Sequence, residues 1–208
     1  MNIEKLKDTG ERVFTIILIF GIILMVINSI NDHESLQQHK KYGIGKVIKK
    51  GGRHNDIIYF SFFYNGKKYQ TSSKHDFFNL NDEVKINGFY KVEFDITNPE
   101  NSNIYITKKP LNPFKLLAQG IEIDASIDKF SHSFKNSADL NISYTYGNEN
   151  FTFRCRYLLD SLPCGSFENC KNADSIKIII CKLFPELNNL YLESHDRQRL
   201  RNLYKSFL

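Results

Sequence analysis

The residues of this chain with the chemistry for nucleophilic attack or metal binding are four cysteines and six histidines. The cysteines come late, at Cys155, Cys164, Cys170 and Cys181, with eight, five and ten residues between them. None of these gaps is the two-residue spacing of a zinc site or a thioredoxin-like centre. The histidines, His33, His39, His54, His75, His132 and His195, are scattered, and none is close to a cysteine along the chain. A thiol nucleophile needs a base within hydrogen-bond reach. A Cys/His centre would therefore depend wholly on the fold bringing two distant residues together. No G-x-S-x-G, H-E-x-x-H or Gly-rich phosphate loop is present. Asp82-Glu83, and Glu193 with Asp196, read as solvated loop charges. The expectation is a protein with no catalytic residue, no cofactor and no metal. A membrane-anchored enzyme with a Cys/His centre is the alternative.

The cysteines also have a structural reading. Their number is even, which suits disulfides in an oxidising compartment. Cys164 and Cys170 flank Gly165-Ser166-Phe167-Glu168-Asn169, a short polar stretch. A loop of this size can bring two Cα atoms into the ~4.4–6.8 Å window of a disulfide, so Cys164 and Cys170 form the candidate bridge. Cys155 and Cys181 sit at the ends of strands expected in one sheet, where a second bridge depends on register. The plainer reading of any of the four is a buried thiol without chemistry.

The element that must position everything else is residues 13–30, VFTIILIFGIILMVINSI, apolar almost throughout and free of charge. As a helix it would be about 27 Å long, close to the hydrocarbon thickness of a bilayer. A backbone in lipid must bond to itself, and one segment can do that only as a helix. A cleaved signal would have a shorter apolar core and small residues at its exit; here the exit is Asn28-Ser29-Ile30-Asn31-Asp32. A soluble core helix would show a polar face. The reading is a single-pass anchor, with membrane lipid as its first partner. Lys5, Lys7 and Arg12 precede the span and favour an inside N-terminus. Lys40, Lys41, Lys46, Lys49, Lys50 and Arg53 come after it at greater distance and favour the reverse. Residues 31–38 hold no Lys or Arg, so the expectation is N-in, with the C-terminal part extracytoplasmic.

Residues 1–42 are then tail, span and tether. The chain after residue 42 is mainly β. Residues 45–50 and Ile57–Tyr64 are strands, and Asn65-Gly66 is a strong two-residue hairpin signal. Residues 67–73 return as the partner strand. In residues 89–96, Tyr90, Val92, Phe94 and Ile96 alternate onto one face. A turn at Asn98-Pro99 leads to a strand at 103–107, and Pro110 and Pro113 then break the chain. The scheme recurs with strands at 125–130, 139–146, 150–156, Ser175–Cys181 and 189–192. Lys91 aligns with Lys177, Pro99 with Pro185, Glu100 with Glu186, Asn103 with Asn189 and Tyr105 with Tyr191. Tyr64 aligns with Tyr146 and Tyr69 with Phe151 at a smaller offset. The second copy thus gains residues around 162–172, the region of Cys164 and Cys170. This reads as a degenerate tandem repeat, although small hairpins also resemble one another by composition alone. The boundaries expected are 43–109 for the first β domain and 118–192 for the second. Residues 193–208 read as a C-terminal amphipathic helix. Its Leu200, Leu203, Tyr204 and Phe207 are the candidate partner surface, if they do not simply pack on the second β unit.

The formal charge of +5 is modest and spread over Lys-rich loops. It does not resemble a nucleic-acid footprint. Aromatic strands could stack bases in an OB-like barrel, but packing a core explains them more simply. The basic stretch 40–53 reads as solvated linker and strand edge rather than as a lipid contact.

The pattern of Gly45, Lys46, Val47, then Tyr64, Gly66, Tyr69, then Tyr90, Val92, Phe94, then Asn98, Pro99, Asn101, Ser102 resembles a widespread group of uncharacterised bacterial membrane proteins. These join one or more membrane helices to a small β domain of unknown function. The match covers residues 43–106 and only weakly the second copy, where Phe184 stands for Asn98 and Asn188 for Ser102. The resemblance implies fold and membrane location and carries no activity. Some small anchored proteins of this look are thought to be immunity factors against toxins. The functional expectation is an envelope binding or scaffolding protein with a protein partner.

Overall fold

A computed structural model describes residues 3–53, 56–75, 84–134, 136–197 and 201. It is mainly β. One long helix, α1 (Ile3–Gln38), leads directly into the first strand. From residue 14 to residue 34 its described side chains are exposed apart from a partly covered Gly21, and Leu36 is the first to be buried. The segment Phe14–Gln38 is long and apolar enough to cross a membrane. The expected tether is a helical extension of the anchor as far as Gln38, and strand pairing begins at Lys40.

Among the described residues ten strands form two five-stranded antiparallel sheets. The first contains β1 (Lys40–Gly51), β2 (Ile57–Tyr64), β3 (Lys67–Lys74), β4 (Phe89–Asp95) and β5 (Ser102–Tyr105). The second contains β6 (Ile121–Phe134), β7 (Ser137–Tyr146), β8 (Glu149–Leu158), β9 (Ser175–Cys181) and β10 (Phe184–Asn188). The orders are β3-β2-β1-β4-β5 and, read from the matching edge, β8-β7-β6-β9-β10. Each unit is thus a three-strand meander whose first strand also pairs with the fourth. The same topology occurs twice.

The hairpin turns arise from their sequences. Asn65 and Gly66 both take positive φ, 50° and 77°, as a tight two-residue turn requires. In β2 the run Phe60-Ser61-Phe62-Phe63 is buried on both faces. Phe60 and Phe62 enter the first core with Val47, Tyr90, Val92, Phe94 and Ile104. Phe63 points the other way, into the core of the second unit. There it meets Phe184 edge-on at 5.2 Å and Phe151 at 5.7 Å, while Phe89 meets Phe184 at 5.3 Å. The units therefore share one aromatic junction. Short helix α2 (Pro113–Ala118) links them, with Pro113 at its first turn and the Asn112 side chain accepting from Phe114 N at 2.9 Å.

Two expectations at strand ends are corrected. Ile96 does not share the buried face of Tyr90, Val92 and Phe94. The strand ends at Asp95, Ile96 N donates to His39 O at 3.1 Å, and the side chain is 43% exposed. Residues 189–192 are not a strand but lie in helix α4 (Asn189–Glu193), which comes after a second short helix, α3 (Phe167–Asn172). Asn188 caps α4 by accepting from Tyr191 N at 2.7 Å, and the Asn189 side chain accepts from Ile179 N at 2.8 Å. The last strand lies earlier, at Phe184–Asn188. Pro99 and Glu100 are consequently in a turn, whereas Pro185 and Glu186 are in a strand. The residue-by-residue match across that stretch does not describe equivalent positions. Ile178 and Ile180 are fully buried in the second unit.

Candidate functional site

The cysteines separate into two kinds. Cys164 and Cys170 are disulfide-bonded, with Cα atoms 5.2 Å apart. The Ser166 side chain caps α3 by accepting from Asn169 N at 3.1 Å, and this turn carries Cys170 back into the core. Cys155 and Cys181 are free and buried. They cannot be neighbours across a ladder, because β6 and β7 stand between β8 and β9. Burial pushes the Cys155 thiol up to about 12 and raises Cys181 as well. Cys155 Sγ points at Leu140 O at 3.7 Å. A thiol in such surroundings stays protonated at neutral pH and is a poor nucleophile.

Of the histidines, His75 pairs with Ser73 Oγ at 2.8 Å and His132 lies beside the Phe167 ring at 6.1 Å. His54 lies outside the described residues, as do Leu200, Leu203, Tyr204 and Phe207. The tail beyond α4 is described only at Ser194, in a 3-10 turn, His195–Arg197, and at residue 201. Among the described residues no group of three or more His, Cys, Asp and Glu could hold a metal ion.

Two features stand out that the spacing of reactive residues did not point to. The first is the seat of α1 on the first sheet. Asp95 is fully buried at the end of β4 and accepts a hydrogen bond from Ser35 Oγ of α1. It also accepts from Thr97 N at 2.8 Å and Thr97 Oγ1 at 2.7 Å. Burial alone would raise this carboxyl, but the donors from Ser35, Thr97 and Asn98 outweigh it and bring its pKa to about 2. Asn101 Nδ2 donates to Asp32 O at 2.6 Å. The last turns of the helix are thus bonded to the β4–β5 end of the first unit.

The second feature is a cleft of about 380 Å³ beside the aromatic junction, with Lys46, Tyr144, Phe153, Glu186 and Tyr191 in its lining. The elements explain why these side chains meet. Ile44 and Lys46 alternate on β1 with Gly45 and Val47, and Ile44 already packs into the second unit's core. Gly45 backs onto Val92 and Phe60, where a Cβ would collide with Val92 at 2.3 Å. Lys46 therefore faces the second unit, and burial lowers its pKa against a weaker opposing pull from Glu186. Glu186 is held by Lys68 Nζ at 2.5 Å, so β3 and β10 are bridged across the cleft. Tyr144 Oη donates to Pro185 O at 2.7 Å, and its ring stacks on Phe151 at 5.1 Å. Arg197 lies over the Tyr191 ring at 4.8 Å.

The sequence does not mark this cleft, although two local features are consistent with it. Lys46 falls on the same strand face as Ile44, and Glu186 comes after a Phe-Pro that enters the core. A continuation of the cleft along the second sheet's outer face is lined by Asp124, Asp128 and Ser143. The chain matches no family model, no curated protein and no solved structure.

Proposed function

We propose that this is a single-pass membrane-anchored binding protein of the bacterial envelope that presents its two β units outside the cytoplasm and binds through the cleft between them. The observation that carries the reading is the contrast within α1. Its apolar stretch is wholly uncovered, while its last turns are bonded to the first unit through Ser35, Asp95 and Asn101. An uncovered apolar helix of this length needs lipid. A helix joined stiffly to a sheet would hold that sheet at a set distance from the membrane. The Cys164–Cys170 pair supports the oxidising side. The burial of Phe60, Phe62 and Phe94 supports core packing for the strand aromatics rather than base stacking. The raised thiols of Cys155 and Cys181 count against the Cys/His enzyme.

The test uses full-length protein in native membranes. It should resist carbonate extraction, and added protease should digest the β units of intact spheroplasts. Alkylation without reductant should label Cys155 and Cys181 only after unfolding, and Cys164 and Cys170 only after reduction. Release by carbonate would overturn the anchor. Free labelling of all four cysteines on unfolding without reductant would overturn the orientation.

A further inference from the structure

We infer that the cleft between the two β units binds a compact oxyanion, a carboxylate or phosphate monoester carried on an apolar or aromatic body. The inference rests on the reading of the cleft as the binding element and adds the chemistry of its ligand.

Lys46 lines the cleft, and two further cations lie beside lining residues, Lys68 bonded to Glu186 and Arg197 over the Tyr191 ring. Lys46, Lys68 and Arg197 come from β1, β3 and the 3-10 turn, and the charges of Lys68 and Arg197 are both felt at Lys46. One carboxylate, Glu186, faces them and is bonded to Lys68. Among the described residues, Lys46 Nζ has no hydrogen-bond or ion-pair partner. Arg197 is near Asp196 at 4.0 Å, yet its Nε–H is buried and has no acceptor among the described residues. A buried guanidinium donor with no acceptor is costly for the protein alone, whereas Lys46, in the cleft wall, is open to an entering anion. An oxyanion in the cleft would accept from Lys46 Nζ, with the charges of Lys68 and Arg197 close behind it. The walls fit the rest of such a ligand. Tyr191 and Phe153 lie edge to face at 6.2 Å, and both line the cleft. The volume is in the range of small-molecule sites.

The neighbouring groove narrows the class. Asp124 and Asp128 line it, and it is continuous with the cleft through Tyr144, Asn150 and Thr152. An extended polyanion such as a nucleic acid would lay phosphates along these carboxylates and be repelled. A single compact anion would not reach them.

The experiment titrates full-length protein in detergent micelles with phenyl phosphate and benzoate, which separate the two anion sources. Benzyl alcohol and benzylamine are the neutral and cationic controls. Binding is read by calorimetry and by the shift in melting temperature. At least one anion should bind, and neither control should match it. Lys46→Met should weaken that anion about tenfold, as loss of a charged hydrogen bond would. Lys46→Arg should retain it, and Lys171→Met, on α3 and outside the cleft's lining, should change nothing. Glu186→Gln should strengthen binding severalfold, because it removes the one opposing charge; a merely structural role would not give this sign. It also keeps the test decisive if Lys46→Met fails to fold. Equal binding of benzyl alcohol would overturn the oxyanion while leaving a binding cleft. Failure of both anions to bind, or weaker binding in Glu186→Gln, would overturn the inference.

Discussion

The two β units have one strand order and two ways of closing. In the first, edge strands β3 and β5 approach each other directly, and Thr71 Oγ1 donates to Glu100 O at 3.1 Å. In the second, α4 and the 3-10 turn fill that space against β8. Tyr157 Oη donates to Leu190 O at 2.8 Å. Ser194 Oγ accepts from Arg156 N at 2.9 Å and donates to Asp196. Arg156 forks onto Asp139 at 2.7 and 2.9 Å. The connection between the fourth and fifth strands decides which closure occurs. It spans residues 96–101 in the first unit and only 182–183 in the second. The fourth strands themselves correspond, so Asp95 and Cys181 occupy the same last position. The first unit uses that position to hold a helix; the second buries an inert thiol there. A repeated topology has thus taken two jobs, attachment in the first copy and most of the shared core in the second.

The strongest way to test this division is Phe184→Ala. Its ring contacts both Phe63 and Phe89 of the first unit from within the second. The loss should be about 3–5 kcal/mol, read by denaturant unfolding, and should uncouple the two units into separate transitions. Phe62→Ala, confined to the first core, should destabilise without splitting the transition. A single cooperative transition in Phe184→Ala would mean that the junction does not rest on this ring.

Asp95→Ala comes next. It removes a buried acceptor with several donors, and about 1.5–3 kcal/mol should be lost. Its effect should fall on the first unit and on the seat of α1, seen as new hydrogen exchange at residues 35–39. The pH dependence comes from the same group. Its folded pKa of about 2 lies below the ordinary 3.8. The stabilisation is therefore complete above the ordinary value and is lost as pH falls from about 4 through about 2. Asp95→Asn should flatten that part of the stability profile.

The disulfide belongs to the second unit alone. Cys164→Ser with Cys170→Ser opens a loop of sequence separation 6, which the chain-entropy relation values at about 2 kcal/mol. Thermal unfolding should show that loss in the shared transition, with no new hydrogen exchange at residues 35–39 of the first unit's helix seat.

The smallest effect concerns the hairpin tips, which touch each other. Gly66 has φ 77°, and an added Cβ would lie 3.3 Å from Asn148 N. Gly66→Ala should cost about 1 kcal/mol, measured by denaturation, with Gly147→Ala similar because its φ is 63°.

Much of the fold was legible because it is local. Runs of β-branched and aromatic residues located β2 and β9 at their observed bounds, and Asn65-Gly66 announced its hairpin. An apolar run without charge announced α1. The short Cys164–Cys170 interval supplied the bonded pair. These features depend on neighbours within a few residues. Residues 189–192 were misread because their composition suits a strand. The helix depends instead on Asn188 capping a turn and on Leu190 and Leu192 finding the core. Asp95 could not be singled out, because its partner Ser35 is sixty residues away. Lys46 and Glu186 likewise lie far apart along the chain, and nothing local marks either as facing a cleft. Strand periodicity specifies which face a residue takes. Only the packing of one sheet against another specifies what that face will meet, because that contact is set by side chains from strands that the sequence does not place side by side.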